Sequence, residues 1–162
     1  MKTTILSGIL ASLAFSAAIP AHAEVMVRDV EVSADIEAIQ NEKAAAYWAN
    51  LSDDLKNAIM TDLVGKVGED GSKIVIDIDE VELANSYESS LGIAESRLKG
   101  SVAVLNDKDN TKYDGYDLTV TFEQAGPYFL PGTDLTLVTR DSAEYYDAMI
   151  DAFADHVVEN LK

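Results

Sequence analysis

Asp70-Gly71-Ser72-Lys73-Ile74-Val75-Ile76-Asp77-Ile78-Asp79-Glu80-Val81-Glu82-Leu83 is the stretch whose reading decides the fold. Ile74, Ile76 and Ile78 alternate with Val75, Asp77 and Asp79, which is the period-2 pattern of a strand with one buried face. The alternation breaks at Asp79-Glu80, because Val81 and Leu83 fall in the opposite phase. A β-bulge or a bend at the strand end is expected there.

Upstream of the strand, Glu69-Asp70-Gly71 is a turn, and Gly65 and Gly68 mark the exit of a helix. That helix is expected over residues 42–67. Ala44, Trp48, Leu51, Leu55, Ile59 and Leu63 step by three or four and fall on one stripe. Ser52-Asp53-Asp54 could cap a second helix, but the stripe keeps phase across them, so one helix is the expectation, with Asn41 as its cap. Before it, Val30, Val32, Ala34 and Ile36 alternate with acids and serine as a half-buried strand.

Downstream, Asn85 to Gly92 reads as a loop. Leu98, Gly100, Val102 and Val104 share one face of a further strand, and Tyr116, Leu118, Val120 and Phe122 share one face of the next. The turn-rich segment between them predicts an antiparallel pair. Leu135, Leu137 and Val138 suggest a short extra strand. Asp141-Ser142-Ala143-Glu144 has the form of a capping box with Asp141 as cap, opening a helix to Leu161. On that helix Tyr146, Met149, Ile150, Phe153, Val157 and Leu161 crowd one arc, with Glu144, Asp147, Asp151, Asp155 and Glu159 opposite. The expected fold is α+β, in the order βαβββ(β)α. An antiparallel sheet of three to five strands carries two long helices on its apolar face. The polar face, with Asp77, Asp79, Lys99 and Thr119, meets solvent or a partner.

The chain has 162 residues and begins like an exported protein. Lys2 is followed by the apolar run Ile5 to Ile19, then Pro20, then Ala21-His22-Ala23, a small-x-small cleavage pattern. Residues 1–23 are expected to be a signal peptide cleaved after Ala23, although an uncleaved anchor is the alternative. Residues 24–162 are then one α+β domain, soluble and placed in the periplasm or outside the cell. There is no cysteine, which excludes disulfides, thiol catalysis and an anchoring lipidated cysteine.

The formal charge is −17, and −18 once Lys2 is removed. Nucleic acid and anionic lipid are disfavoured, because binding there depends on neutralising phosphates with Lys and Arg. The acidity serves solubility, or it selects a cationic partner or metal ions.

Catalytic chemistry is poorly supplied. His22 leaves with the signal peptide, and His156 alone reads as a helix-end residue. No G-x-S-x-G, P-loop, G-x-G-x-x-G or H-E-x-x-H occurs. The segment Asp107-Lys108-Asp109-Asn110-Thr111-Lys112 starts like a calcium loop. It then lacks the required Gly and bidentate Glu, so it reads as a hairpin turn, with a weak cation site on Asp107, Asp109 and Asp114 as the sharper alternative. Asp77 and Asp79 would neighbour each other on one strand face, which suits a solvated face more than acid–base work. The best candidate for function is Gly126-Pro127-Tyr128-Phe129-Leu130-Pro131-Gly132. Tyr128, Phe129 and Leu130 there either form a lid over the core or present a recognition loop.

Asp70-Gly71 leading into Ile74 to Leu83, and the segment Ala152 to Leu161, resemble the strand and closing helix of small periplasmic αβββα domains. The auxiliary lipoproteins of ABC transport systems are one example. The resemblance spans about half of the mature chain and carries no catalytic motif. The chain departs from it by lacking the lipid-anchoring cysteine. It implies a non-enzymatic accessory or adaptor protein and assigns no site residues. The expected function is therefore a non-catalytic exported accessory or interaction protein with another envelope protein as partner, no cofactor and no metal. The alternative is an acidic protein that binds cations or a small ligand.

Overall fold

The row Ile74, Ile76, Ile78 lies at the centre of the molecule, each residue at most 1% exposed. It belongs to β2 (Ser72–Glu82), an inner strand of a four-stranded sheet in the order β1-β2-β3-β4. The other strands are β1 (Val27–Ala34), β3 (Arg97–Leu105) and β4 (Asp114–Thr121). This computed structural model describes residues 25–34, 42–83, 96–106 and 113–161. The signal-peptide reading of residues 1–23, the Asn41 cap, the side chain of Ala44, the 85–92 loop and the 107–112 turn with Asp107 and Asp109 lie outside the described residues.

The sheet is antiparallel at β2–β3 and β3–β4 and parallel at β1–β2. The parallel pair follows from the helical crossover between β1 and β2, which returns the chain to the end where it started. The phase break at Asp79-Glu80 is a β-bulge. Ile78 pairs with Gly100 and Glu80 with Lys99, so Asp79 is the extra residue. Beyond it Glu80 and Glu82 point to the outer face. Val81, opposite buried Leu98, and Leu83 return to the core. Without the bulge, two acids would enter the core and two aliphatic side chains would leave it.

The crossover contains two helices, α1 (Glu42–Trp48) and α2 (Leu51–Asp62), not one. The break at Ala49-Asn50 is short and preserves the phase, since Trp48, Leu51, Leu55, Ile59 and Leu63 are all buried. A continuous stripe therefore cannot distinguish one helix from two. Asn50 occupies the cap position of α2 without a side-chain cap bond.

β4 ends earlier than its alternation suggests. Thr121 caps a one-turn helix, α3 (Phe122–Ala125), through a capping box. Its hydroxyl accepts from Gln124 N at 3.3 Å, and Gln124 Oε1 accepts from Thr121 N at 2.9 Å. Phe122 thus sits on a helix, not in the strand. A 3₁₀ turn at Gly126–Tyr128 follows. Residues 133–142 form turns and irregular chain, not the short extra strand expected from Leu135, Leu137 and Val138.

The last helix, α4 (Ala143–Glu159), is capped by Ser142, one residue after the expected Asp141; Ser142 Oγ accepts from Tyr145 N at 3.2 Å. Its buried face is wider than the expected arc, because Tyr145, Ala148, Ala152 and Ala154 join Tyr146, Met149, Ile150, Phe153 and Val157. Helices α2 and α4 pack on the same face of the sheet and run the same way. Tyr146 near the start of α4 reaches Asp54 near the start of α2, and Asp155 near the end of α4 lies by Asp62 at the end of α2. Among the described residues no helix is long and apolar enough to cross a membrane.

Gly71 permits the close approach of the β2 start to β1. A Cβ there would lie 2.6 Å from the Val27 carbonyl carbon and 2.7 Å from Arg28 N, and backbone has no soft end to give way. Gly126, by contrast, has open space around its Cβ position and a right-handed helical φ of −47°. Gly71→Ala is expected to cost more than about 2 kcal/mol in urea unfolding, whereas Gly126→Ala stays within about 0.5 kcal/mol. Equal effects of the two would contradict this account of the β1–β2 junction.

Candidate functional site

The segment from Gly126 to Arg140 is fastened at both ends and apolar at its exposed middle. At the first end Phe129 is 9% exposed and packs edge-on against Phe122, with ring centroids 5.7 Å apart. Phe122 stacks on Tyr145 at 5.6 Å. Tyr128 donates from its hydroxyl to Asp155 Oδ2 at 2.5 Å. Burial and that carboxylate together push the Tyr128 phenol well above its ordinary value, so it remains a donor at neutral pH. At the other end Val138 packs against the core, and Arg140 Nη1 donates to the Leu83 carbonyl just after β2.

Between these anchors the chain is held by its own turns. Asp134 Oδ1 accepts from Thr136 N at 3.0 Å and from Thr136 Oγ1 at 2.6 Å. These bonds hold the Asp134 carboxyl below the ordinary carboxylate range. Thr133 N donates to Leu130 O at 3.0 Å, and Leu137 N donates to Asp134 O at 2.9 Å. Gly132 takes a φ of +91°, which L side chains rarely adopt. The result projects Leu130 (75% exposed), Leu135 (40%) and Leu137 (76%) outward.

The three residues singled out by sequence thus divide. Tyr128 and Phe129 pack against the core, and Leu130 is exposed with Leu135 and Leu137. Sequence reasoning placed those two leucines in a strand. The Asp134-x-Thr136 spacing, which favours a side-chain-locked turn, is the signal that would have corrected it.

The acids of the two helices meet along the α2–α4 seam. Tyr146 donates to Asp54 Oδ2 at 2.7 Å. Burial raises the carboxyls of Asp62, Asp147 and Asp151 above their ordinary value. Neighbouring carboxylates raise them further: Asp155 beside Asp62, Asp54 and Glu144 beside Asp147, and Asp147 and Asp62 beside Asp151. Among the described residues no group of three or more His, Asp or Glu side chains is arranged to hold a metal ion.

The other candidates find ordinary surroundings. His156 Nδ1 bonds the Ala152 carbonyl of its own helix at 2.7 Å. Asp77 accepts from Ser33 Oγ at 2.8 Å on the outer face, and the bulge removes Asp79 from its row. Ser96-Arg97-Leu98-Lys99 matches the letters of S-x-x-K, a catalytic pairing in β-lactamases. Here the serine immediately precedes β3 and is buried, while Lys99 lies on the outer face, opposite Glu80 across the ladder.

No protein-family model matches the sequence, and no curated protein matches it. Solved structures do show similarity. A Xanthomonas campestris protein of family model DUF330 gives a TM-score of 0.45 at 14% identity, over 88% of each chain. A PelC dodecamer from Paraburkholderia phytofirmans gives 0.40 at 8% identity, over 81% of this chain and 86% of that one. A minor lipoprotein from Acinetobacter baumannii gives 0.35 at 12% identity, over 82% of this chain and 90% of that one. Likeness at this level carries no argument about what the protein does.

Two outcomes follow from the geometry. Phe129→Ala lowers stability by about 3 kcal/mol, because it empties a packed site, whereas Leu137→Ser stays within about 0.5 kcal/mol. The seam acids have folded-state values raised above 3.8, so their ionisation costs the folded state more than the unfolded one. Their contribution to stability is therefore lost as pH rises through the raised values. At about pH 7.5, Asp62→Asn, Asp147→Asn and Asp151→Asn together are expected to raise the melting temperature, with the gain narrowing as pH falls toward 3.8 and as salt screens the carboxylates. No gain from the triple variant at about pH 7.5 would contradict it.

Proposed function

We propose that this chain is a non-catalytic exported accessory protein that docks another envelope protein through the exposed leucines of the 130–137 loop. One observation carries the reading. Leu130, Leu135 and Leu137 are held outward on a loop whose ends are pinned by Phe129, Tyr128, Val138 and Arg140. Exposed apolar side chains cost solubility, and presenting several on a fastened loop is the geometry of a recognition element. Pre-formed turns also lower the entropy lost on docking.

Export rests on the amino-terminal sequence pattern, Lys2 followed by the apolar run and Ala21-His22-Ala23. The non-enzymatic reading is supported by the absence of catalytic motifs in the sequence and by the surroundings of His156, bonded to its own helix, and of Asp77, bonded to Ser33.

The test uses a photocrosslinking amino acid at position 137, at position 130 and, as a control, at Glu144 on α4, in the native envelope. A discrete adduct to one envelope protein from 130 and 137, absent from 144, is the expected result. Adducts identical from all three positions, or none from the loop, would overturn the docking role.

A further inference from the structure

The outer face of the sheet contains a shallow, open depression of about 450 Å³, lined among the described residues by Val75, Asp77, Ser101, Ala103, Tyr113 and Asp117 with their neighbours. We propose that this depression receives an arginine or lysine side chain of a partner polypeptide, between Asp77 and Asp117 and against the ring of Tyr113.

The shape comes from small residues stacked in register. Val75, Ala103 and Gly115 form one row across β2, β3 and β4, and Asp77, Ser101 and Asp117 form the next. Small side chains in the middle of both rows leave the floor low. Tyr113, 65% exposed, covers Gly115 so closely that a Cβ there would lie 2.9 Å from the phenol oxygen. The site therefore has an apolar floor, one aromatic wall and two carboxylates. The two carboxylates flank β3, two strand spacings apart at the backbone, or about 9.6 Å.

The charge balance of this face singles out these two acids. Lys73 contacts Glu31, and Arg97 Nη2 holds Glu80 at 2.8 Å and Glu82 at 2.7 Å. Lys99 lies one row along, opposite Glu80 and Thr119. Asp77 accepts a hydrogen bond from Ser33, and neither Asp77 nor Asp117 has an ion pair among the described residues. Glu31, Glu80 and Glu82 on this face each contact a cation, whereas Asp77 and Asp117 line the depression.

The chemistry of the occupant follows. A long aliphatic stem lies on Val75 and Ala103, a cationic head is attracted to the Tyr113 face, and the carboxylates supply charge-assisted hydrogen bonds. A guanidinium suits the arrangement best, since its planar fork offers donors in two directions. The depression is too open to bury a free small ligand, which favours a side chain delivered by a larger surface. The net charge of −17 draws such a surface in. This inference is independent of the leucine loop.

The experiment titrates the whole protein, followed by amide NMR shifts, with a short acetylated Gly-Arg-Gly-Arg-Gly amide. The same peptide with citrulline for arginine and free spermidine are titrated in parallel. The arginine peptide is expected to shift amides of residues 75–77, 101–103 and 113–117, and citrulline to abolish the effect. Asp77→Asn with Asp117→Asn should weaken binding at least about tenfold, and Tyr113→Ala about threefold. Glu144→Gln with Asp151→Asn, which removes the same charge elsewhere, should change it less than about twofold, as should Leu137→Ser. Equal weakening by the α4 pair, binding of the citrulline peptide, or no shift at about 10 mM peptide would overturn the proposal. Tighter binding of spermidine than of the peptide through the same residues would replace the polypeptide side chain by a free polyamine and overturn it in that respect.

Discussion

Burial of Ile74, Ile76 and Ile78 in one core cluster with the apolar residues of α2 and α4 is the constraint on which the rest of the structure depends. All three sit at most 1% exposed. Full burial of each such side chain contributes roughly 1.5–3 kcal/mol. Because strand side chains alternate, fixing these three inward fixes Asp77 and Val75 outward. The bulge at Asp79 then lets one strand serve two patterns. Before it the odd-numbered residues face out, and after it the even-numbered Glu80 and Glu82 do so and meet Arg97. Sheet register, core and outer-face charge are consequences of the same strand.

The helices show which force dominates when packing and charge conflict. The apolar faces of α2 and α4 bury Leu55, Ile59, Met149 and Phe153, and this brings the flanking acids of both helices to one seam. Repulsion between like charges at the surface costs a few tenths of a kcal/mol per pair, well below the gain from one buried side chain. Packing therefore wins, and two tyrosine hydroxyls, from Tyr146 and Tyr128, each donate to one of the acids. Having no disulfide to lean on, the chain depends on this packed layer for its stability.

Much of the fold was legible because it is written in periods. The four strands and both helical stripes follow from alternation and from steps of three and four. The bulge was legible as a phase error in one strand. What stayed hidden was structure that leaves the period intact or depends on partners far away in sequence. The break at Ala49-Asn50 keeps Trp48 and Leu51 on one stripe. Thr121 and Gln124 carry a capping signature, but Phe122 continued the strand alternation and masked it. Leu135 and Leu137 alternate like a strand, while Asp134 and Thr136 lock a turn. The parallel pairing of β1 with β2 depends on the crossover and not on any local signal. Of the candidate loop, sequence singled out only Gly126 to Gly132 and read Leu135 and Leu137 as a strand. Its division into an inward Phe129 and an outward Leu130 needed the core it closes. The depression at Asp77 and Asp117 could not be read at all, because three strands contributing Asp77, Ser101 and Asp117 assemble it.

A rigid sheet–helix platform presenting a separately pinned, exposed loop is the central claim, and native-state amide hydrogen exchange tests it directly. The account predicts that amides of 74–78 and 149–157 exchange slowest, at a common rate set by global unfolding. It also predicts that amides of 130–136 exchange orders of magnitude faster through local opening, while the protein stays folded. Loop amides as protected as those of β2, or β2 amides exchanging as fast as the loop, would contradict it.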